Sequence, residues 1–314
     1  MRAKESTGNV FRDALISLEI DEFCPACIAR AVPEKVRLCR PHGDSAERIN
    51  GRFVVHKGVP RPAFCPECGY STKDGKGLTK ADLEARVSRE KTKEMHKNGA
   101  IGFFNQCSLL AKMSVTNDRF SNFKTPQPIL KQVGNETFKN AKSIASGEPI
   151  HLILQGKTGT GKTHLSMACV WEIWDRTGYR FKDRPTRNPD GSRHDNYREI
   201  QIVFASWPLL IQEIKDGISS PDVAIKAQKT LSALQVADVA VIDDLGAEPE
   251  TSFNFQKVDD LFQIREDLPT IITTNLSFDE LKKKYDDRTV SRIRAHAHTI
   301  SFKGVKDYRQ REDD

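Results

Sequence analysis

The chain has 314 residues, 38% of them hydrophobic, which is long enough for two domains or for one large domain with an appendage. It carries 49 lysines and arginines against 43 acidic residues, a net charge of +6 that permits phosphate-rich partners without requiring them. No run approaches the roughly 18 consecutive apolar residues of a membrane helix, and the charged start MRAKESTGNVFRDAL lacks the apolar core of a secretory signal. These features exclude a membrane-spanning role and make the cytoplasm the expected compartment.

Five of the seven cysteines fall within the first 68 residues, a region also rich in Pro and Gly. They form knuckle-like pairs, Cys24-Pro-Ala-Cys27 and Cys65-Pro-Glu-Cys68, with Cys39-Arg-Pro-His42 between them. A tight C-P-x-C turn aims two thiolates at one ion, and the N/S donor set suits tetrahedral Zn²⁺. Six ligands are too many for one Zn²⁺ and too few for two closed sites. The first expectation is Cys24, Cys27, Cys65 and Cys68 as facing knuckles. Cys39 and His42 are alternative or additional ligands, and a mixed set such as Cys24, Cys27, His42 and Cys65 is open. A module this small needs such a staple. Neither C-x-x-C lies in the βαβ context of a redox motif. Cys107 and Cys169 are expected only to pack.

Residues 78–98, LTKADLEARVSREKTKEMHKN, are densely charged and read as an exposed helix separating two modules. From about residue 115 strand-like and helix-like segments alternate, which predicts a parallel α/β sheet. IHLILQ (150–155), QIVFAS (201–206), ADVAVI (237–242) and PTIITT (269–274) are the strand candidates, apolar enough to be buried on both faces. HLSMACVWEIWDRTG (164–178) reads as a helix ended by Gly178. The polar stretch GYRFKDRPTRNPDGSRHDNYREI reads as a surface loop or hairpin inserted after it.

The sharpest motif is Gly156-Lys157-Thr158-Gly159-Thr160-Gly161-Lys162-Thr163, which fits G-x-x-x-x-G-K-[ST] with a strand before and a helix after. Glycines let backbone N–H groups turn onto phosphate oxygens, and the helix directs its positive end at the same anion. Lys162 can reach the β- and γ-phosphates, and the Thr163 hydroxyl can bind Mg²⁺. Eighty residues on, the strand Val239–Ile242 runs into Asp243 and Asp244. Ligands in parallel sheets sit beyond the C-terminal strand ends. Asp243 is placed to hold Mg²⁺ and Asp244 to orient or deprotonate the attacking water. Asn275, just past the last strand candidate, could position water near the γ-phosphate or simply cap the next turn. Taken alone, Arg288, Arg292 and Arg309 are ordinary exposed cations.

GKTGTGKTHL, VAVIDDLGAE, TIITTNLSFDEL, DRTVSRI and ISFKGVKDYR, in this order, resemble the DnaC/DnaI family of bacterial replicative helicase loaders. ATPase subunits of IstB-type transposition systems share much of the pattern. The resemblance spans residues 115–311, about two-thirds of the chain. It implies an AAA+ P-loop NTPase core with Asp243 and Asp244 as the Walker B pair and Asn275 as sensor I. Arg288 matches the finger that reaches a neighbouring subunit's nucleotide, Arg292 its companion, and Arg309 sensor II. Many AAA+ ATPases carry Glu at the position of Asp244, and the shorter carboxylate implies slow hydrolysis stimulated by partners. The chain ends soon after Arg309, so no full helical lid is expected, nor a DnaA-like helix-turn-helix domain.

DnaI-like loaders also carry an N-terminal zinc-binding domain that contacts the helicase, which favours a loader over a transposition ATPase. The expected organisation is a zinc-binding, helicase-interacting domain over 1–77, a helical linker over 78–114 and the ATPase domain over 115–314. The expected function is ATP-dependent loading of a hexameric DnaB-like helicase onto single-stranded DNA in bacterial or phage replication, with Mg²⁺ and Zn²⁺ as cofactors and self-association into a ring or spiral. An IstB-like ATPase and a zinc module using ATP only structurally are the alternatives. Lys215, Lys226 and Lys229 could approach DNA phosphates, although a solvated helix face is the preferred account of them.

Overall fold

A computed structural model describes residues 37–39, 45–49, 52–56, 80–183, 186–187, 193–194, 196–217 and 219–305. The chain divides into two compact units, Met1–Thr92 and Lys93–Asp314. The first unit contains a three-stranded antiparallel sheet of β1 (Arg37–Cys39), β2 (Ser45–Ile49) and β3 (Arg52–His56). Cys39 ends β1, with only its backbone described. Cys24, Cys27, His42, Cys65 and Cys68 lie outside the described residues.

Helix α1 (Lys80–Cys107) is longer than its charged stretch predicts. It continues through Gly99 and Gly102, where charge gives way to Ile101, Phe103 and Phe104. At Gly99 a Cβ would come within 2.7 Å of Glu199 Cγ, so a larger residue would have to displace that side chain. From Lys93 onward α1 belongs to the larger unit, burying Ala100, Phe104 and Cys107. Among the described residues no helix is long and apolar enough to cross a membrane.

The larger unit is an α/β core. Its elements are α2 (Pro128–Ala145), β4 (His151–Gln155), α3 (Lys162–Thr177), β9 (Ile202–Ser206), α4 (Trp207–Asp216), α5 (Pro221–Val236), β10 (Val239–Leu245), α6 (Ser252–Arg265), β11 (Thr270–Thr274), α7 (Phe278–Tyr285), α8 (Asp287–Ile293) and β12 (Ala297–Ser301). The five strands form one sheet in the order β12-β4-β11-β10-β9, and every pairing is parallel. Between α3 and β9 the inserted segment is a hairpin. Strand β5 (Arg180–Lys182) pairs with β8 (Tyr197–Glu199), and beyond them β6 (Thr186–Arg187) pairs with β7 (Arg193–His194).

The continuous apolar strands are explained by layers on both faces. Leu152, Leu154, Phe204, Val241 and Ile271 pack on one side with residues of α2 and α3 such as Leu130 and Leu165. The alternate residues Ile153, Val203, Ala240, Ile242 and Ile272 pack on the other with Leu210, Leu234, Phe262 and Leu281. The four strand candidates of the sequence form, and β12 joins them at the edge beside β4. In β12 only Ile300 is buried, so its sequence AHTIS carries almost no apolar signal. Helix α3 ends at Gly178 with φ 60°, where Tyr179 N–H donates to Trp174 O at 3.0 Å.

One buried cation stitches the second layer to the sheet. The Arg265 guanidinium, fully buried, donates to Leu234 O (2.8 Å), Ala237 O (2.9 Å), Pro269 O (2.6 Å) and Thr270 Oγ1 (3.0 Å). It thereby satisfies carbonyls at the C-terminal end of α5, where a cation also complements the helix dipole.

Candidate nucleotide site

The P-loop connects β4 to α3. Gly156 N–H donates to Thr274 O at 3.1 Å, and a Cβ at this position would stand 2.5 Å from Phe302 Cβ, so only glycine lets the loop leave the sheet here. Gly161, with φ 94°, sits in the left-handed region and lies so near Phe123 that a Cβ would be 2.9 Å from its ring. Gly159 has φ 79°, and the buried Thr160 ties the loop to itself through Lys157 O at 2.8 Å. Thr158 lies on the exposed side of the same loop, lining the cleft.

Lys162 is buried at the start of α3. Its ammonium donates to Gly156 O, Lys157 O and Asn275 Oδ1, each at 2.8 Å. The Asn275 side chain is therefore directed into the P-loop. The cap of α7 is Ser277, whose Oγ accepts from Glu280 N–H in a capping box, which removes the capping account of Asn275.

Beside the loop, Thr163 Oγ1 donates to Asp243 Oδ1 at 3.0 Å, and Thr273 Oγ1 donates to the same oxygen at 2.7 Å. Thr273 also accepts from Asp244 N–H at 2.8 Å. Asp244 has φ 58° and lies in the bulge where the pairing of β10 with β11 shifts between Ile242 and Leu245. Burial and then the neighbouring Asp244 charge push the Asp243 carboxyl up to about 6, against the hydrogen bonds from Thr273 and Thr163 and the Lys162 charge. A buried carboxylate facing a hydroxyl and a second carboxylate wants a cation. This all-oxygen donor set fits Mg²⁺ held by Thr163 and Asp243.

A cleft of about 350 Å³ opens over the P-loop and the end of β10. Its far wall is the stretch Leu110–Phe123, which carries no motif. Leu109 pairs as an extra bridge against β9, with its N–H on Phe204 O and its carbonyl accepting from Ser206 N–H, both at 2.8 Å. His164, next to Thr163, holds the wall in place. Its Nε2 lies 2.9 Å from Arg119 O, its Nδ1 lies 3.3 Å from Asp118 Oδ1, and its ring packs 5.1 Å from that of Phe123. These apolar and polar groups surround the space beside the P-loop. Thr273, Asp118, Phe123 and His164 were not singled out from the sequence. Only the adjacency of His164 to the P-loop offered a signal.

The arginines separate. Arg288 on α8 is exposed and bonds to no described residue, whereas Arg292 is spent within the fold on Asp259 Oδ1 at 2.6 Å. Helix α7, which leads directly into α8, is fixed relative to β10 by the buried Glu248. It accepts from the Tyr285 hydroxyl and from Gly246 N–H (3.0 Å), while Lys284 donates to its carbonyl at 2.5 Å. Arg309 lies outside the described residues. Among the described residues no cluster of His, Cys, Asp or Glu suits a metal ion beyond the Mg²⁺ pair discussed, and Cys107 and Cys169 are free and buried.

The parallel strand order with the P-loop strand between β12 and β11, the P-loop leading into α3, the acidic end of β10 and the polar residue after β11 define an AAA+ P-loop NTPase core. Among solved structures the chain is similar to a protein described as a primosome component from Streptococcus pyogenes serotype M3, with 20% identity over 65% of this chain and 96% of that one and a TM-score of 0.46. It is similar to DnaI, with 21% identity over 64% and 96% and a TM-score of 0.47. It is also similar to the DnaC helicase loader, with 19% identity over 60% and 99% and a TM-score of 0.46. No protein-family model matches the sequence, and no curated protein matches it. Likenesses this distant leave the function to be argued from the site itself.

Proposed function

We propose that this chain is an ATP-dependent loader of a hexameric, DnaB-like replicative helicase onto single-stranded DNA in bacterial or phage replication. The observation that carries the reading is the contrast within the site. Lys162 is bonded to Asn275 and the adjacent Thr163 to Asp243, while Arg288 stands exposed and unspent. A finger without a partner in its own chain is suited to a neighbouring copy's nucleotide, which is how a ring or spiral would couple its subunits. The motif order from the P-loop to DRTVSRI supports a loader in particular.

In this reading the backbone of Gly156, Thr158, Gly159, Thr160 and Gly161 cradles phosphate oxygens, and Lys162 exchanges its carbonyl partners for the β- and γ-phosphates. Thr163 and Asp243 hold Mg²⁺, which supplies charge neutralisation at the transferring phosphoryl group when bound. Asp244 orients the attacking water and accepts its proton. Asn275, released from Lys162, fixes that water. Arg288 from the next subunit and Arg309 stabilise the developing charge, and Arg292, the expected companion, acts by holding α8 to Asp259. Residues 1–77 form the helicase-binding domain, stapled by zinc on Cys24, Cys27, Cys65 and Cys68, with Cys39 and His42 as alternative or additional ligands. A helical linker over 78–114, whose residues from Lys93 onward pack within the larger unit, joins it to the ATPase domain over 115–314.

The test is native mass determination of the full chain mixed with its host's hexameric helicase, with and without ATP. It is repeated with Cys65→Ser/Cys68→Ser protein whose zinc content is measured. A defined complex lost together with zinc supports the reading. Absence of any complex in every nucleotide state refutes it and turns attention to transposases.

A further inference from the structure

The stretch Leu110–Phe123 walls the nucleotide cleft without being a strand or an α-helix. It contains two short 3₁₀ turns, Met113–Asn117 and Phe120–Asn122, and neither buries a residue. A segment with so little core of its own keeps its place through what it is tied to. At one end Leu109 bridges to β9, and at the other the Phe123 ring lies close over Gly161. Between these ends Phe120 meets Phe138 of α2 with ring centres 5.1 Å apart, and the polar ties run to one face of α3. Trp171 Nε1 donates to Thr116 O at 3.1 Å, and the Arg119 guanidinium lies 3.5 Å over the same indole. Two turns earlier, and so on the same face, His164 spends both ring nitrogens on the strap. Nε2 lies 2.9 Å from Arg119 O and Nδ1 lies 3.3 Å from Asp118 Oδ1.

The place of His164 in the chain gives these contacts their meaning. It directly follows Thr163, whose hydroxyl donates to Asp243, and its ring packs 5.1 Å from that of Phe123. The first turn of α3 therefore carries the phosphate cradle on one side and the strap on the other. Leu110, Val115 and Phe123 of the strap line the same cleft as the P-loop and Asp243. A ligand seated on the cradle has the strap against it, and a strap loosened from α3 opens that side of the cleft to solvent. The ties at Trp171 lie two turns away from the cradle, whereas the tie at His164 lies beside it, so loss of the latter frees the part of the strap nearest the phosphates.

We propose that His164 is a positioning residue that latches the strap Leu110–Phe123 along the cleft and thereby slows the release of a nucleoside triphosphate, without touching the phosphates or the metal. This deepens the reading of the cradle as an ATP site, on which it rests, and it needs nothing of the helicase assignment. A latch of this kind acts on the lifetime of the bound state and leaves the encounter rate nearly alone. It makes the ATP-bound form long-lived, which suits a switch better than a rapid hydrolase.

The experiment is stopped-flow fluorescence of mant-labelled ATP with Mg²⁺ and the full chain, reading association on mixing and release on chasing with unlabelled ATP. The variants are His164→Ala, His164→Gln, Asp118→Ala and the double variant His164→Ala/Asp118→Ala, each with its Tm measured. His164→Ala should release the nucleotide about tenfold faster, the scale of one or two lost hydrogen bonds, while its association rate stays within about threefold of the parent's. Glutamine keeps a side-chain N–H for Arg119 O and should bring release back to within about threefold of the parent. The double variant should release no more than about twofold faster than His164→Ala, because the two single changes break one shared contact. Release at the parent rate in His164→Ala, no recovery with glutamine, or fully multiplicative effects of the two alanines would each overturn the proposal. If His164→Ala does not fold, Asp118→Ala on the strap carries the test, and parent-like release there overturns the latch. A parent that binds no nucleotide sinks the ATP-site reading and the latch together, whereas tight binding by the parent with unchanged release in the variants sinks the latch alone.

Discussion

Replacing Asp243 by Asn should stabilise the metal-free, nucleotide-free protein at neutral pH while abolishing its response to Mg-ATP. Asp243 is 4% exposed, and burial with the adjacent Asp244 raises its carboxyl from 3.8 to about 6. Because the folded value lies above the unfolded one, the folded state binds more protons between these limits. Stability is therefore highest below pH 4 with respect to this group and falls as pH rises through 6. About two pH units at 1.36 kcal/mol each give a penalty of about 3 kcal/mol at pH 7.5, and roughly half of it is present at pH 5. Asparagine keeps an acceptor for the Thr163 and Thr273 hydroxyls and carries no charge to desolvate. The expected gain is about 1–3 kcal/mol, a rise in Tm of about 2–10 °C for a domain of this size. Thermal unfolding in EDTA at pH 7.5 and pH 5, with a parallel series in Mg-ATP, reads it directly. A variant less stable than the parent at pH 7.5 in EDTA, or a gain that does not shrink at pH 5, would refute the electrostatic account. A Tm still raised by Mg-ATP would refute the assignment of Asp243 to the metal.

Two further outcomes follow from single arginines. Arg288→Ala should leave nucleotide affinity of the isolated chain within about twofold, yet reduce ATP turnover of the assembled, helicase-bound form by about 10³. An equal loss of nucleotide affinity in the isolated chain would place Arg288 in its own site instead. Arg265→Ala removes the guanidinium donors to the buried Leu234 and Ala237 carbonyls, one of two donors to Pro269 O and the bond to Thr270 Oγ1, and leaves a cavity. At about 1–3 kcal/mol per orphaned group the cost should exceed about 4 kcal/mol in urea unfolding. Arg265→Lys should recover only part of it, since one ammonium cannot span the fork.

The sequence by itself determined the phosphate cradle, the acidic strand end and the four central strands. Each of these is local: a glycine loop needs its glycines in order, and a strand buried on both faces must be apolar throughout. It placed Asn275 only up to a choice between capping and catalysis, because that choice depends on where Lys162, 113 residues away in sequence, comes to rest. β12 escaped because an edge strand with one buried residue has no periodicity to read. The wall of the nucleotide cleft escaped because Asp118, Phe123 and His164 meet only once α3 is laid against the chain that leaves α1. The difference between Arg288 and Arg292, four residues apart on one short helix, was likewise decided by tertiary packing alone. Asp259 on α6 neutralises one and leaves the other to solvent, and a sequence cannot show which cation a distant carboxylate will meet.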